Sequence, residues 1–165
     1  MGVRPRLAGD LEQCVRLLAD VHRVDGYPTY WPNDAVGWLS PRGSFGAWVA
    51  AAAGPVAGHV AIAAVGDGHA AEVWREAGLV PETLASMSRL FVAPTERGAG
   101  LGNELVDVAC REAARRGLHP VLDVVETNLA AIALYERRKW VRVASEPWRE
   151  SRDVELTLYY YAAPR

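Results

Sequence analysis

Cysteine is scarce in this sequence: only Cys14 and Cys110 occur among 165 residues, and both lie among apolar neighbours in helix-like patterns. Two such residues are typical of small buried side chains, so the sequence predicts neither a disulfide framework nor a redox pair. Long apolar runs are also missing, and the first residues contain no apolar signal core. Because a membrane-spanning helix needs roughly 18 consecutive apolar residues, we expect a cytoplasmic protein that makes no membrane contact.

An excess of charge of either sign is missing as well. The formal net charge is -2, and the isoelectric point is near 6.1. No overall basic field is therefore available to capture nucleic acid, and we expect no nucleic-acid partner. We assign no residue of the sequence to a metal site. An anionic ligand would need a local binding site instead.

Half of the residues are hydrophobic, which is enough for a chain of this length to bury a core of its own. Repeats, low-complexity tracts and interdomain linkers are absent, so the sequence predicts one globular domain over residues 1–165. Apolar periodicity and turn residues give the element order β, α, β, β, α, β, α, β, α, β, β. This order indicates a mixed α/β fold that contains both hairpins and parallel crossovers.

Three glycines, Gly98, Gly100 and Gly102, lie between the strand-like segment RLFVAP and a helix-like run that ends at Gly117. A glycine-rich turn that opens a helix is a typical anion site, since the first helical N–H groups and the helix dipole point at the turn. The stretch lacks the lysine and the hydroxyl of a Walker phosphate loop. Its glycines are also spaced differently from the dinucleotide fingerprint.

The segment Arg97 to Gly102 follows the pattern R-x-x-G-x-G and resembles the pyrophosphate-binding motif of GNAT-superfamily N-acetyltransferases. The resemblance implies a GNAT-like, largely antiparallel sheet of about seven strands flanked by helices, with a helix inserted between strands 3 and 4. It also implies acetyl-CoA as cofactor, with pantetheine along the strand edge and pyrophosphate in the loop. The residues that it assigns to the cofactor are Leu90, Phe91, Val92, Arg97, Gly98, Ala99, Gly100, Leu101, Gly102, Asn103 and Asn128.

A second motif strengthens this resemblance. The stretch ETNLAAIALYERRKW matches the family pattern N-x-x-A-x-x-L-Y-E, while Lys139 and Trp140 stand where the family usually has Gly and Phe. Asn128 is expected to cap the helix and to reach the cofactor. The resemblance assigns catalysis to Tyr135, which would donate a proton or a hydrogen bond to the departing thiolate. A packing role is the other interpretation of this tyrosine.

The general base is not evident from the sequence. The strand before the glycine loop carries no carboxylate, so His59, His69 and Glu72 are the alternatives elsewhere, each of which is also typical of packing or of a surface position. Aromatic residues in two loops predict the walls of an acceptor pocket, although ordinary loop packing explains them as well. The residues assigned to this pocket are Tyr27, Tyr30, Trp31 and Trp148, with Trp74 as a further candidate.

The leading hypothesis is therefore an enzyme that transfers an acetyl group from acetyl-CoA to a primary amine of a small molecule or peptide. The alternative is a non-catalytic acyl-CoA-binding module that kept the cofactor site without a base. A nicotinamide-binding domain with Asp123 or Glu126 on the ribose is not supported by the glycine spacing. We leave open a homodimer as the assembly state.

Overall fold

The structure is a computed structural model in which residues 2–51, 54–148 and 155–165 are described. The strands are β1 (Gly2–Pro5), β2 (Ser44–Ala51), β3 (Val56–Ala64), β4 (Leu84–Val92), β5 (His119–Val125), β6 (Val141–Pro147) and β7 (Thr157–Ala162). The α-helices are α1 (Leu11–Asp25), α2 (Ala35–Trp38), α3 (His69–Glu76), α4 (Leu101–Arg115) and α5 (Leu129–Arg137).

The helices begin and end at residues that suit these positions. The first helix, α1, ends at Gly26, which adopts a left-handed φ of 70°. The short helix α2 begins after Asp34, whose side chain accepts a hydrogen bond of 2.9 Å from the N–H of Gly37. Asn128 caps α5 in the same way, as predicted, by accepting a hydrogen bond of 3.4 Å from the N–H of Ala131.

The strands form one seven-stranded sheet in the order β1-β2-β3-β4-β5-β7-β6. Neighbouring strands are antiparallel except for β4 and β5, which are parallel and joined through α4. The α/β prediction is therefore confirmed, with a mixed, largely antiparallel sheet and α3 inserted between β3 and β4. The described residues contain no helix that is long and apolar enough to cross a membrane.

Helices cover both faces of the sheet. A Cβ at Gly58 would come within 2.9 Å of Leu105, so the face that Gly58 shares with its β4 partner Val92 packs against α4. On the other face, Phe91 of β4 lies against the ring of Tyr27 from the loop after α1. Tyr160 of β7, which is directly opposite Asp123 of β5, packs there against Trp74 of α3.

The two central strands separate halfway along their length. β4 pairs with β5 only from Leu84 to Ser86, whereas β5 continues to pair with β7 as far as Val125. On its other side β4 contains a bulge, because Arg89 and Leu90 together face a single residue of β3. Among the described strands, the edge of β4 from Met87 to Val92 is therefore open toward β5, and we call this opening the β4–β5 gap.

Candidate functional site

The glycine loop takes its shape from left-handed backbone conformations. Gly98 and Gly100 have φ values of 83° and 84°, and an added Cβ at either residue would meet no other atom within 4 Å. The glycines are thus required by the conformation of the loop rather than by crowding within the chain. Gly102, by contrast, faces Leu134 of α5 at 3.4 Å from its ideal Cβ position.

The loop leads directly into the N-terminus of α4. Gly100 is the N-cap and offers no side chain, and the first intrahelical bond there is donated by Glu104 to the carbonyl of Gly100. The N–H groups of Leu101, Gly102 and Asn103 consequently have no intrahelical acceptor. Together with the helix dipole, they make this turn a place where an anion is stabilised.

A cleft of about 410 Å³ runs between this loop, the open edge of β4 and α5. Every residue predicted to bind the cofactor lines it except Ala99. Tyr27 also lines the cleft, together with Val21 and Asp25 from the end of α1. The geometry therefore brings the two sequence motifs, which are about 30 residues apart, onto facing walls of one cleft.

Arg97 is held by an acidic partner from another element. Its Nη1 donates to Asp25 at the end of α1 over 2.9 Å, and its Nη2 contacts the other oxygen of the same carboxylate. The hydrogen bond from Arg97 lowers the pKa of Asp25. The positive charge expected in the loop is thus already balanced, and Glu96 and Arg137, which also line the cleft, balance each other in formal charge. The free N–H groups at α4 are what remains to attract an anion.

Tyr135 lies in the core beneath the cleft and does not line it. Its side chain is 5% exposed and packs against Trp140 and Tyr161, with ring centroids 5.7 Å and 6.2 Å away. Burial raises its pKa, and the charges of Tyr27 and Asp123 raise it further. The hydroxyl of Tyr135 therefore keeps its proton.

The end of α5 explains how a sequence that departs from the family pattern keeps this tyrosine in place. Lys139 adopts a left-handed φ of 64°, and its N–H donates to the carbonyl of Glu136 over 3.0 Å. The N–H of Trp140 donates to the carbonyl of Tyr135 over 3.0 Å. These two bonds form a Schellman motif, in which Lys139 occupies the position that glycine usually takes.

The aromatic residues predicted for the acceptor pocket are divided between several places. Tyr27 lines the cleft and lies between Trp38 and Phe91. Tyr30 is exposed and packs edge-on against Trp148 at 5.8 Å, whereas Trp31 lies against His22 at 5.5 Å. Trp74, the further candidate, is 2% exposed in the core. The acceptor role of Tyr27, Tyr30, Trp31 and Trp148 stays a prediction.

The three residues considered as general base lie away from the cleft. His59 is fully buried: its Nδ1 lies 2.8 Å from the carbonyl oxygen of Arg89, and its Nε2 lies 2.9 Å from Nη1 of Arg6. Burial lowers its pKa to about 4, so it is neutral and both its nitrogens are engaged. His69 is bonded to Glu146 over 2.7 Å, and Glu72 is mostly exposed on α3. None of the three lines the cleft.

Asp123 is the acidic residue that sequence reasoning missed as a candidate base. It lies in β5 beside the β4–β5 gap, on the face that it shares with Tyr160. Burial is the main reason for the raised pKa of Tyr27 and of Tyr135, and the negative charge of Asp123 adds to both. The last residue pair between β4 and β5 is Ser86 with Val121, so Asp123 follows two residues later, where β4 is no longer paired with β5. A carboxylate inside the apolar strand PVLDVV was the signal available in the sequence.

The face that carries Asp123 contains further polar groups. The hydroxyl of Tyr160 donates to Glu146 over 2.6 Å, and the other oxygen of Glu146 accepts from His69. Burial lowers the pKa of Arg89 at the bulge of β4, and the charges of Tyr27 and Asp123 oppose part of this decrease. No group of three or more His, Cys, Asp or Glu residues within the described ranges is arranged to hold a metal ion.

Comparisons with known proteins agree with this geometry. The sequence model of the Acetyltransferase (GNAT) family matches residues 11–140, and no curated sequence matches the chain. A ribosomal-protein-alanine N-acetyltransferase from Brucella melitensis is similar with a TM-score of 0.74 and 21% identity over 98% of both chains. An N-acetyltransferase from Staphylococcus aureus gives a TM-score of 0.74 and 18% identity over 97% of this chain and 95% of that one.

A third structure, from Salmonella typhimurium, was solved with its cofactor acetyl-CoA. It gives a TM-score of 0.72 and 20% identity over 98% of this chain and 92% of that one. At such identities the likeness to solved structures shows the fold.

Proposed function

Because the chain belongs to the GNAT family of acetyltransferases, we propose that it transfers the acetyl group of acetyl-CoA to a primary amine of a small molecule or peptide. The amine nitrogen forms a bond to the acetyl carbon, the thioester C–S bond breaks, and coenzyme A leaves as the free thiol after its thiolate takes up a proton. The observation that carries the proposal is the β4–β5 gap, which has the open edge of β4 that lines the cleft on one side and Asp123 of β5 on the other.

The residues of the cleft fit acetyl-CoA. The free N–H groups of Leu101, Gly102 and Asn103 suit the pyrophosphate, since the wall charges of the cleft largely cancel. The open edge from Leu90 to Val92 suits the two amides of pantetheine, which would pair with it as an added strand does. An N–H group on this edge would also polarise the thioester carbonyl.

Asp123 is the proposed general base. An amine must lose a proton when it attacks a thioester, and a carboxylate on the acceptor side of the gap can accept that proton directly or through water. It would also attract the protonated amine before reaction. Its place in β5 beside the open edge of β4 supports a position near the reacting atoms.

Tyr135 is proposed to stabilise the leaving thiolate. Its pKa is higher than that of an ordinary tyrosine, whereas the pKa of a thiol is about 8.5. The tyrosine therefore holds its proton more firmly than the thiol does. We therefore assign the Tyr135 hydroxyl the role of hydrogen-bond donor rather than complete proton donor.

The test is amine-dependent release of free thiol from acetyl-CoA, with the acetylated product identified by mass spectrometry. A panel of amino acids, their amides, simple alkyl amines and short peptides serves as acceptors. The expected result is release that needs both the amine and the protein. Acetyl-CoA binding without transfer to any member of the panel would instead support the non-catalytic module.

A further inference from the structure

Arg89 has an unusual backbone for a residue inside a strand. Its φ is 56°, and together with Lys139 it is one of two non-glycine residues with positive φ in the part of the chain that is described. A left-handed conformation is unfavourable for an L-residue with a Cβ, and such positions persist when the surroundings enforce them. The bulge of β4 thus directs one large cationic side chain out of the regular alternation of the strand.

A buried histidine supports this conformation. Nδ1 of His59 donates to the carbonyl oxygen of Arg89 over 2.8 Å, and its ring stacks on Phe91 at 5.1 Å. Nε2 of His59 accepts from Arg6, which also donates to the carbonyl of Leu39 over 2.9 Å. The backbone of Arg89 is therefore anchored from the core, so the direction of its side chain is set by the fold.

The guanidinium of Arg89 is held on one side only. Its Nε donates to the carbonyl of Trp38 over 2.8 Å, and its central carbon lies 4.1 Å from the centre of the Trp38 ring. Within the described ranges its two terminal nitrogens make no hydrogen bond, and Arg89 forms no ion pair within 4.0 Å. Arg4, Arg97 and Arg138, by contrast, are each paired with an aspartate.

The free side of this guanidinium is near the proposed reaction centre. The last paired residues of β4 and β5 are Ser86 and Val121, so Asp123, two residues further on, lies level with Ser88, next to Arg89. The Trp38 ring that carries the guanidinium also packs against Tyr27. A cation with unused donors and a carboxylate then stand side by side at the β4–β5 gap. This combination matches a molecule that carries both a cationic and an anionic group.

We propose that the acceptor is an amine that also carries a carboxylate, such as a free amino acid, and that Arg89 binds this carboxylate while Asp123 faces the amine. The inference rests on the proposed acetyl transfer and names its acceptor class. The planar fork of donors on arginine suits a carboxylate, and a preorganised guanidinium loses little freedom on binding. If Arg89 served only to balance the charge of Asp123, its replacement would change kcat/KM equally for acceptors with and without a carboxylate.

The experiment compares matched acceptors: L-phenylalanine with L-phenylalanine amide, and L-methionine with L-methionine amide. Thiol release gives kcat/KM for each. The wild type should favour the acid over its amide by at least about thirtyfold, since an unpaired charged group at a binding site is costly. In Arg89→Asn this ratio should fall close to one, mainly through a higher KM for the acids.

Asparagine is the matched substitution because it tolerates a left-handed φ and removes the charge. Arg89→Lys should retain part of the preference, and both variants should bind acetyl-CoA as the wild type does. Equal kcat/KM for acids and amides in the wild type, or an equal loss for both in Arg89→Asn, would overturn the inference and leave acetyl transfer standing. Absence of transfer to every amine would overturn the proposed function as well.

Discussion

At the scale of single residues, Lys139 stands where the family pattern has glycine, and the cost of this substitution in folding stability can be measured. Two other helices end in the same Schellman motif with a glycine at this position. In α3, Gly78 has a φ of 83°, and in α4, Gly117 has a φ of 69°. Lys139 adopts the same conformation with a Cβ, which is unfavourable by roughly 1 kcal/mol.

Lys139→Gly should therefore stabilise the protein by about 0.5 to 1 kcal/mol, as measured by urea unfolding. Lys139→Ala is the control, because it removes the long side chain but keeps the Cβ. A gain of equal size in both variants would show that the lysine side chain, and not the backbone conformation, is responsible.

The buried His59 predicts a pH dependence of stability. Its pKa is lowered from 6.5 to about 4 by burial, so between these values the unfolded chain binds more protons than the folded one. The stability contributed by the neutral form is complete above pH 6.5 and is lost as the pH falls toward 4. Between about pH 7.5 and 4.5 the loss amounts to roughly 2 to 3 kcal/mol.

His59→Asn should remove this part of the pH dependence, because asparagine keeps a donor for the Arg89 carbonyl but does not titrate in this range. Urea unfolding across the same pH range measures it. The paired carboxylate of Asp10 does not interfere, since its pKa is lowered to about 2 by the hydrogen bond from Arg4. An equally steep loss in the variant would assign the effect to other groups.

Tyr135 is tested by a change of one atom. Tyr135→Phe should lower kcat by about tenfold or more, since the proposed role of the hydroxyl is to stabilise the leaving thiolate, while the affinity for acetyl-CoA stays within about twofold. Steady-state kinetics and calorimetric titration measure the two quantities. Unchanged kcat, under conditions where the chemical step limits the rate, would leave this tyrosine only its packing against Trp140 and Tyr161.

At the scale of elements, the role of the glycine loop in ligand binding can be separated from the general effect of straining a glycine backbone. Gly100 and Gly117 both have left-handed φ, and both have open space around an added Cβ. Valine at either position strains the backbone to a similar extent, but only Gly100 lines the cleft.

Gly100→Val should therefore abolish most of the increase in Tm that acetyl-CoA produces, because a displaced loop no longer aligns the free N–H groups of α4. Gly117→Val should lose comparable stability and keep the full ligand response. Equal responses in the two variants would place the cofactor away from this loop.

The elements also show which features were predictable from the sequence. The loop from Arg97 to Gly102 and the cap at Asn128 carry local signals, in which residue type alone specifies the backbone. Asp123 and Arg89 carry no such signal. Their positions near each other depend on the bulge in β4 and on the register of β5 against β7. Both features are set by contacts between segments that are distant in sequence.

At the scale of the whole molecule, the proposed function brings the two substrates together at one place in the sheet. The cleft between the α4 N-terminus and α5 suits the cofactor, and Asp123 of β5 lies opposite Tyr160 on the face away from α4. The sheet is open between these two regions at the β4–β5 gap. The net charge of -2 offers no long-range attraction for an anionic cofactor, so affinity has to come from the local N–H groups.

The most direct test of the account is the rate of thiol release in Asp123→Asn with an amine that the wild type acetylates. Acetyl-CoA affinity is measured in parallel, and Asp20→Asn on the exposed surface of α1 is the control. The account predicts a loss of at least about a hundredfold in kcat/KM for the amine with acetyl-CoA affinity unchanged. A variant that folds and transfers acetyl groups at the wild-type rate would contradict the assignment of the β4–β5 gap as the site of reaction.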